Sequence, residues 1–430
     1  MAGQVSESTL DSKGMYQLSN DSSFHFELLR DISLAPYEGA DIGEVLVAAN
    51  KVVPGNFESF HNAFIKLATR VHSQAKVIDS VKYPISSRNA FFRAATYYRS
   101  ADFFFHGNRS DPRINDIWVK HLDAFNAAIA LLPIPGQRIE LPSTDNKFKI
   151  PAIFYGSDKK EARPTIILGN GYDGSQEEMF HVMGKAILER GMNFITYEGP
   201  GQPTVRRKQN LGFIHEWEKV VTPVVDYLLT RPEVDPNSIG LLEYSFGGML
   251  SPRAAAFEHR LAAVFAIDGV YDFGQALLEN LTPQMRKLFE SHKAKEVDSM
   301  TNNLLQNPST PTSIRWAIQQ GLWAFNEKSA YTWLLKSQQY NLTGLTDHIR
   351  APVFVGSAEN DMFFPGQARL LADSLGSKAT FRSFGNAEGA GEYFQAGASV
   401  LLSQTALDWF AEIVHSHGEY LQHLEPEREL

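Results

Sequence analysis

The sequence predicts an α/β fold with a mostly parallel eight-stranded sheet, a helical domain ahead of it and a helical insertion within it. Three features carry that prediction. Beyond Pro133, short runs rich in β-branched and aromatic residues alternate with stretches of helical period, as strands and crossover helices do. Between Gly43 and Leu132 the apolar residues recur at helical spacing instead. At 242–251 an apolar strand runs directly into a serine, two glycines and a helix.

Composition bounds the function. The chain has 430 residues, 43% hydrophobic and 21% charged, enough to bury a large core, which excludes disorder, collagen and coiled coil. Lys plus Arg number 40 against 49 Asp plus Glu, a net charge of -9, and no basic block could track a phosphate backbone, so nucleic acid is not an expected partner. With no cysteine, disulfides, thiolate zinc sites, iron-sulfur clusters and a cysteine nucleophile are excluded together. No cofactor and no metal are called for by any motif. No apolar stretch approaches the roughly 18 residues of a membrane span.

Taken in order, residues 1–23 are rich in Ser, Asp, Gly and Gln without an apolar core segment, and read as a disordered tail, not a signal peptide. A cytoplasmic protein is expected, whose Asn-x-Ser/Thr sites at Asn20, Asn108, Asn280 and Asn341 go unused. Residues 24–135 form a helical cap, with apolar spacing at Phe60, Phe64, Leu67 and Val71, at Phe91, Ala94, Ala95 and Tyr98, and at Ile117, His121, Ala124 and Ala128. Its dense aromatics, Phe91 to Phe105, read first as core. Residues 136–430 form the sheet domain. Strands are expected at 138–141, 148–154, 165–168, 193–197, 238–242, 263–267, 353–355 and 380–383, and helices at 177–190, 216–230, 248–258, 365–375 and 398–413. The stretch 273–344 interrupts the alternation, is helical in period and carries Trp316, Trp323 and Trp333, so it reads as a lid. Lid and cap together are expected to close an apolar cleft.

The chemistry centres on Leu242-Glu243-Tyr244-Ser245-Phe246-Gly247-Gly248. A serine on a sharp strand-to-helix turn has its hydroxyl pushed out at the sheet edge, and the next N–H, that of Phe246, points where an oxyanion would form. This is the nucleophile elbow of α/β-hydrolases. Earlier, Leu168-Gly169-Asn170-Gly171-Tyr172-Asp173-Gly174 leaves a strand in a glycine-rich turn, where that fold places its second oxyanion donor, here Tyr172 N–H. Later, Val355 to Asp361 leaves another strand and ends in a carboxylate suited to the triad acid. A doubly wound nucleotide-binding fold would need a Gly-x-Gly-x-x-Gly turn after its first strand, which is missing.

On the helical cap, the phrase Glu198-Gly199-Pro200-Gly201-Gln202-Pro203, the Ser245 elbow, the Asp361 turn and Glu388-Gly389-Ala390-Gly391-Glu392 with Gln395-Ala396-Gly397-Ala398, the chain resembles the α/β-hydrolases of fungal polyketide and toxin pathways. It is similar too to a bacterial 2,6-dihydropseudooxynicotine hydrolase. The resemblance implies a Ser-Asp-His triad and cleavage beside a carbonyl in a small hydrophobic substrate.

Two positions depart from that pattern. Tyr393 stands where the histidine is expected, and Glu243 where a glycine is expected two residues before the serine. No histidine lies between Asp361 and His415, and His415, His417 and His423 follow the last helix or end it. A tyrosine with a pKa near 10 is a poor base at neutral pH but a good hydrogen-bond donor. The candidate site is therefore Ser245, Asp361 and Tyr393, with Tyr172 and Phe246 as oxyanion donors and Glu243 and Asp173 as auxiliaries. Two functions stay open. One is an enzyme acting beside a carbonyl, by ester or carbon-carbon hydrolysis or by a cyclisation or condensation. The other is a catalytically silent fold that binds a hydrophobic small molecule. A homodimer is compatible with either.

Overall fold

The computed structural model describes residues 15–158 and 160–416. Five helices come first: α1 (Ser22–Ser33), α2 (Ile42–Ala49), α3 (Phe57–Val77), α4 (Pro84–Asp102) and α5 (Arg113–Ile129). The inward faces of α3, α4 and α5 bury Phe60 and Phe64, Ala94, Ala95 and Tyr98, and Ile117, His121 and Ala124 at the expected helical spacing, while Phe91 is half-buried and Phe92, Tyr97 and Phe125 join the core beside them. Ring pairs knit this layer, with Phe60 stacked on Phe64 at 4.7 Å and Phe92 on Phe180 of the sheet domain at 4.8 Å.

Of the tail expected at 1–23, residues 1–14 lie outside the described residues, and Ser22 and Ser23 open α1. Asp21 caps α1 by accepting the N–H groups of Ser23 and Phe24 at 3.0 and 3.3 Å, so its neighbours are helical despite their polar composition. The same carboxylate accepts the Thr312 hydroxyl at 2.7 Å and Gly55 N–H at 2.9 Å. Polar residues here serve a cap and a tether, which composition cannot distinguish from disorder.

Eight strands follow: β1 (Gln137–Pro142), β2 (Lys149–Tyr155), β3 (Arg163–Leu168), β4 (Asn193–Tyr197), β5 (Val234–Tyr244), β6 (Ala263–Ile267), β7 (Val353–Ala358) and β8 (Ala379–Phe384). They form one sheet in the order β1-β2-β4-β3-β5-β6-β7-β8. The pairs β1–β2 and β2–β4 are antiparallel and all others parallel. The uninterrupted burial of β3, β4 and β6 is what a parallel sheet covered on both faces requires. Leu168 lies opposite Leu242, Tyr244 opposite Ile267 and Ala358 opposite Phe384, so the carboxyl ends of β3, β5, β6, β7 and β8 share one edge.

The crossover helices are α6 (Lys185–Glu189), α7 (Pro203–Gln209), α8 (Glu218–Leu228) and α9 (Gly247–Ala255). The helix expected from Glu177 begins instead as a widened π turn, Phe180–Gly184, and continues as α6; at Gly184 a Cβ would fall 2.5 Å from the Phe194 ring. Between β6 and β7 lie α10 (Phe273–Glu279), α11 (Pro283–Glu290), α12 (Ala294–Gln306), α13 (Thr312–Ala324) and α14 (Ala330–Ser337). Finally α15 (Gln367–Leu375) joins β7 to β8, and α16 (Ser399–Ser416) packs Leu402, Ala406, Leu407 and Phe410 onto the sheet. His417 and His423 lie outside the described residues. Among the described residues no helix is long and apolar enough to cross a membrane.

Because Asp21 joins α1 to α13 and to the loop before α3, Asp21→Ala is expected to lower stability by roughly 2 to 3 kcal/mol, a lost cap plus two lost hydrogen bonds. Urea denaturation of the full chain reads this; a loss under about 0.5 kcal/mol would mean the tether is replaced by water at no cost.

Candidate active site

Ser245 follows β5 directly and has φ of 60°, the left-handed region, which costs a residue with a Cβ on the order of 1–2 kcal/mol. The turn is held by Ser245 N–H donating to Ile267 O at 2.9 Å and Gly248 N–H donating to Ser245 O at 2.7 Å. The loop after β3 presses against it. At Gly171 a Cβ would sit 2.6 Å from Tyr244 O and 3.1 Å from Phe246 N, so only glycine lets the two turns meet. Neither Tyr172 N–H nor Phe246 N–H has an acceptor among the described residues. Tyr172 also lines the cavity onto which Ser245 opens, whereas Phe246 is fully buried and lies outside that lining.

Gln202 clamps the loop. Its amide nitrogen donates among Asn170 O at 2.9 Å, Asn170 Oδ1 at 3.1 Å and Gly171 O at 3.2 Å, while its oxygen accepts Gly199 N–H at 2.8 Å. Holding Gly171 O fixes the plane of the peptide that carries Tyr172 N–H. The neighbouring Glu198 is fully buried and pushed up to about 7, mainly by burial, and accepts Gln176 N–H and Thr204 N–H.

Tyr393 reaches the serine. Its hydroxyl donates to Ser245 Oγ at 2.8 Å, 148 residues apart in sequence. The ring is 3% exposed and packs against Phe363 at 4.8 Å, Phe26 at 6.3 Å and Phe364 at 6.3 Å. Burial first, then the charges of Asp361 and Asp268, push its pKa well above the ordinary 10. The phenol is thus protonated at neutral pH and is the donor in this bond.

Asp361 closes its own turn, with Oδ1 accepting Phe363 N–H and Phe364 N–H at 2.9 and 2.8 Å. A second carboxylate, not singled out in the sequence, lies behind it. Asp268 follows β6, is fully buried and accepts Ala358 N–H at 2.9 Å, the Gln395 amide at 3.2 Å and Phe394 N–H. Burial, and next the charge of Asp361, push it up to about 7. It anchors residues 394 and 395, both of which hold positive φ, and so aims Tyr393. The only sequence signal for Asp268 is a polar residue directly after an apolar strand.

Ser245 and Tyr393 open onto a cavity of about 500 Å³. Tyr172 and Asp173 line it, as do Trp316, Trp333, Phe273, Leu277 and Met285 of the insertion. Of the cap expected at 24–135, helix α1 reaches the wall with Phe26 and Arg30, but none of the lining residues comes from the aromatic-rich stretch 60–132, whose rings pack on one another and on neighbours such as Phe180 and Trp316, and Trp323 is also absent from the wall. Arg30 is a buried guanidinium whose Nε and Nη2 donate to the two Glu178 oxygens at 2.6 and 2.7 Å and whose Nη1 donates to Asp173 at 3.1 Å. Burial pushes Glu178 up, but Arg30 and Arg99 outweigh it and hold it at about 2. No histidine among the described residues lines the cavity; His181, for example, is buried away from it against Tyr37 O.

Glu243 does not join this group. Its side chain is fully buried beneath the elbow, where one oxygen accepts the Tyr197 hydroxyl and Trp217 Nε1, the latter at 3.0 Å, and it does not line the cavity. The strand period sends position 243 to the face opposite Tyr244. Burial pushes it up to about 8.

The family model for FrsA-like esterases matches residues 67–322. Hydrolyase poxO of Penicillium oxalicum is 27% identical over 373 residues, 83% of this chain and 87% of the relative. The 20-hydroxy-prefusarin hydrolase FUS2 of Gibberella moniliformis is 27% identical over 413 residues, covering 92% and 97%. The solved structure of 2,6-dihydroxy-pseudo-oxynicotine hydrolase superposes with a TM-score of 0.71 at 17% identity, covering 90% of this chain and 96% of that one, a likeness of fold.

The buried Glu243 generates a pH prediction. It keeps its proton to about pH 8 when folded and ionises near 4.5 when unfolded. Between those values the native state binds more protons, so this group's contribution falls as pH rises from 4.5 to 8. Glu243→Gln is expected to change stability at pH 5 by no more than about 1 kcal/mol and to raise it at pH 8.5 by on the order of 4 kcal/mol. Identical pH profiles for the two proteins, read by thermal melting, would show that Glu243 ionises without cost.

Proposed function

Because the chain belongs to the FrsA-like esterase family, which here takes the α/β-hydrolase fold, we propose that it activates a carbonyl group in a largely apolar, polyketide-type secondary metabolite. Ser245 and Tyr393 act as a hydrogen-bond donor pair in this reading, not as a nucleophile and its base. The observation that carries it is the direction of the 2.8 Å bond from Tyr393 to Ser245. An imidazole would take the serine proton; this phenol gives one. Ser245 is left with its own hydroxyl hydrogen to offer a ligand, alongside the N–H groups of Tyr172 and Phe246.

A carbonyl oxygen held by these three donors gains negative charge where the donors are already aimed, which lowers the cost of forming an enolate. Asp173 lines the same cavity and accepts a proton removed from the carbon beside that carbonyl. The enolate then attacks an electrophilic carbon of the same molecule, closing a ring or condensing, or is reprotonated as an isomer. When the oxyanion is quenched, the proton that Asp173 took from the carbon returns to the ligand, and Ser245 and Tyr393 keep their own protons throughout. Hydrolysis would need a base for the serine proton, and neither Tyr393 nor any described histidine supports that role. The apolar walls formed by Trp316, Trp333, Leu277 and Met285 favour a hydrophobic ligand. The curated relatives, hydrolases of fungi, support the metabolic setting.

Tyr393→His supplies the missing base to a serine, acid and oxyanion loop already in position. Hydrolysis of p-nitrophenyl butyrate is expected to rise at least a hundredfold, with a fluorophosphonate labelling Ser245 in the variant and not in the parent. A parent enzyme that already hydrolyses the ester rapidly, and loses this on Tyr393→Phe, would show that the pair works as nucleophile and base.

A further inference from the structure

The turn that carries Tyr172 N–H and Asp173 is clamped at two successive peptides. Gln202 holds Gly171 O, on the peptide that bears Tyr172 N–H. The next carbonyl, Tyr172 O, belongs to the peptide from which Asp173 hangs, and Gln320 Nε2 of α13 donates to it at 3.0 Å. The orientation of this second amide follows from its partners. Tyr172 O can only accept, so Gln320 presents its nitrogen there and its oxygen to His106 Nδ1, which lies 2.6 Å away and must carry a hydrogen. That hydrogen is present in either charge state of the ring, because His106 Nε2 can donate to Asp102 Oδ2 at 3.1 Å or accept from Arg207 Nη2 at 3.2 Å. The imidazole stacks on Trp323 at 4.0 Å, and Arg206 Nε donates to the Trp323 carbonyl at 2.5 Å, so the anchor itself is fixed. Gln320 is 1% exposed and is not among the residues that line the cavity, so it reaches a ligand only through the turn. Beside it, at Gly321, a Cβ would fall 2.5 Å from the Tyr172 hydroxyl, so α13 also seats the Tyr172 ring.

We propose that Gln320 is a positioning residue for the reaction: by holding Tyr172 O it fixes Asp173 relative to Tyr172 N–H, and so sets the proton acceptor against the oxyanion. A peptide left unheld between the two would be free to rotate, and a misplacement of about 1 Å at reacting groups costs on the order of a hundredfold in rate. Arg30 fixes the other end of the same side chain, with Nη1 donating to Asp173 Oδ1 at 3.1 Å. The carboxylate is thus held at its tip by α1 and at its backbone by α13. The cap, which lines the cavity only through α1, acts on the site a second time through His106. The inference rests on the reading of Asp173 as the group that takes a proton from the carbon beside a carbonyl held at Ser245.

The test uses 4-phenylbutan-2-one as probe in deuterated buffer, with proton NMR following the loss of the hydrogens beside its carbonyl. In each exchange the Asp173 carboxylate takes a proton from that carbon, the C–H electron pair forms the enolate, and the carbon recovers a deuteron once the acid has exchanged with solvent. Gln320→Glu keeps the acceptor for His106 but turns an oxygen toward Tyr172 O, and Gln320→Met removes both bonds at nearly the same volume. Both are expected to lower kcat at least about tenfold while KM stays within about twofold. His106→Phe, which keeps a ring on Trp323 and loses the bond to Gln320, is expected to lower kcat by less. Melting curves check each protein, and one Gln320 variant stands in should the other fail to fold. Asp173→Asn and Ser245→Ala are run in parallel. If these two lose exchange while the folded Gln320 variants keep the parent's kcat, or lose only in KM, Gln320 does not position the reacting groups and the carbonyl site stands. If the parent does not exchange the probe, or Asp173→Asn and Ser245→Ala exchange it as the parent does, the carbonyl-site reading fails and takes the Gln320 inference with it.

Discussion

A phenol buried among aromatic rings and flanked by carboxylates cannot ionise near neutral pH, and that constraint sets the direction of every proton in this site. Tyr393 meets it on each side. Phe26, Phe363 and Phe364 exclude water, and the charges of Asp268 and Asp361 oppose a phenolate. Its one polar bond goes to Ser245 Oγ. The same carboxylates would favour an imidazolium, so surroundings suited to a charged base here hold a neutral donor instead. The backbone shares in this arrangement: the positive φ values at Phe394 and Gln395 persist because Asp268 holds both residues.

The rest of the molecule keeps the partners of that bond within reach. The turn after β3 approaches the elbow so closely that Gly171 has no room for a side chain, and Gln202 pins it there. Beneath the elbow the Tyr197, Trp217 and Glu243 contacts fill the space that a glycine would leave open. In front, helix α1 brings Phe26 and Arg30 to the cavity, and the Arg30 bonds to Glu178 and Asp173 cross-link α1 to the loop after β3. The helical layer of α3 to α5 packs its aromatics into its own core and onto the sheet domain, as Phe92 does on Phe180, and away from the cavity wall. The cavity is lined chiefly by the insertion, the loops at the strand ends and α1.

Much of this was legible in the sequence, for reasons that are local. Strands such as Thr165 to Leu168 and Ala263 to Ile267 are short apolar runs whose identity needs no distant partner, and all eight agree with the sheet observed. The Ser245 elbow and the Gly169 to Gly174 turn are strand-turn signatures for the same reason. What escaped was set by tertiary contact. Asp268 matters because residues more than a hundred positions away donate to it. Arg30 and Gln320 acquire meaning from partners on other elements. Proximity in sequence to Ser245 says nothing about which face of β5 Glu243 occupies, and Asp21, which caps α1, looks in the sequence like any polar residue of a tail.

The location of the Tyr393 proton is open to direct measurement. In protein labelled with carbon-13 at tyrosine Cζ, the Tyr393 resonance, assigned by its loss in Tyr393→Phe, reports ionisation as pH is raised. A protonated donor predicts no titration through pH 10, because burial and the flanking carboxylates hold its pKa above the ordinary value. A Tyr393 resonance that titrates between pH 6 and 8 would contradict this, since the phenolate would then be the base that takes the Ser245 proton.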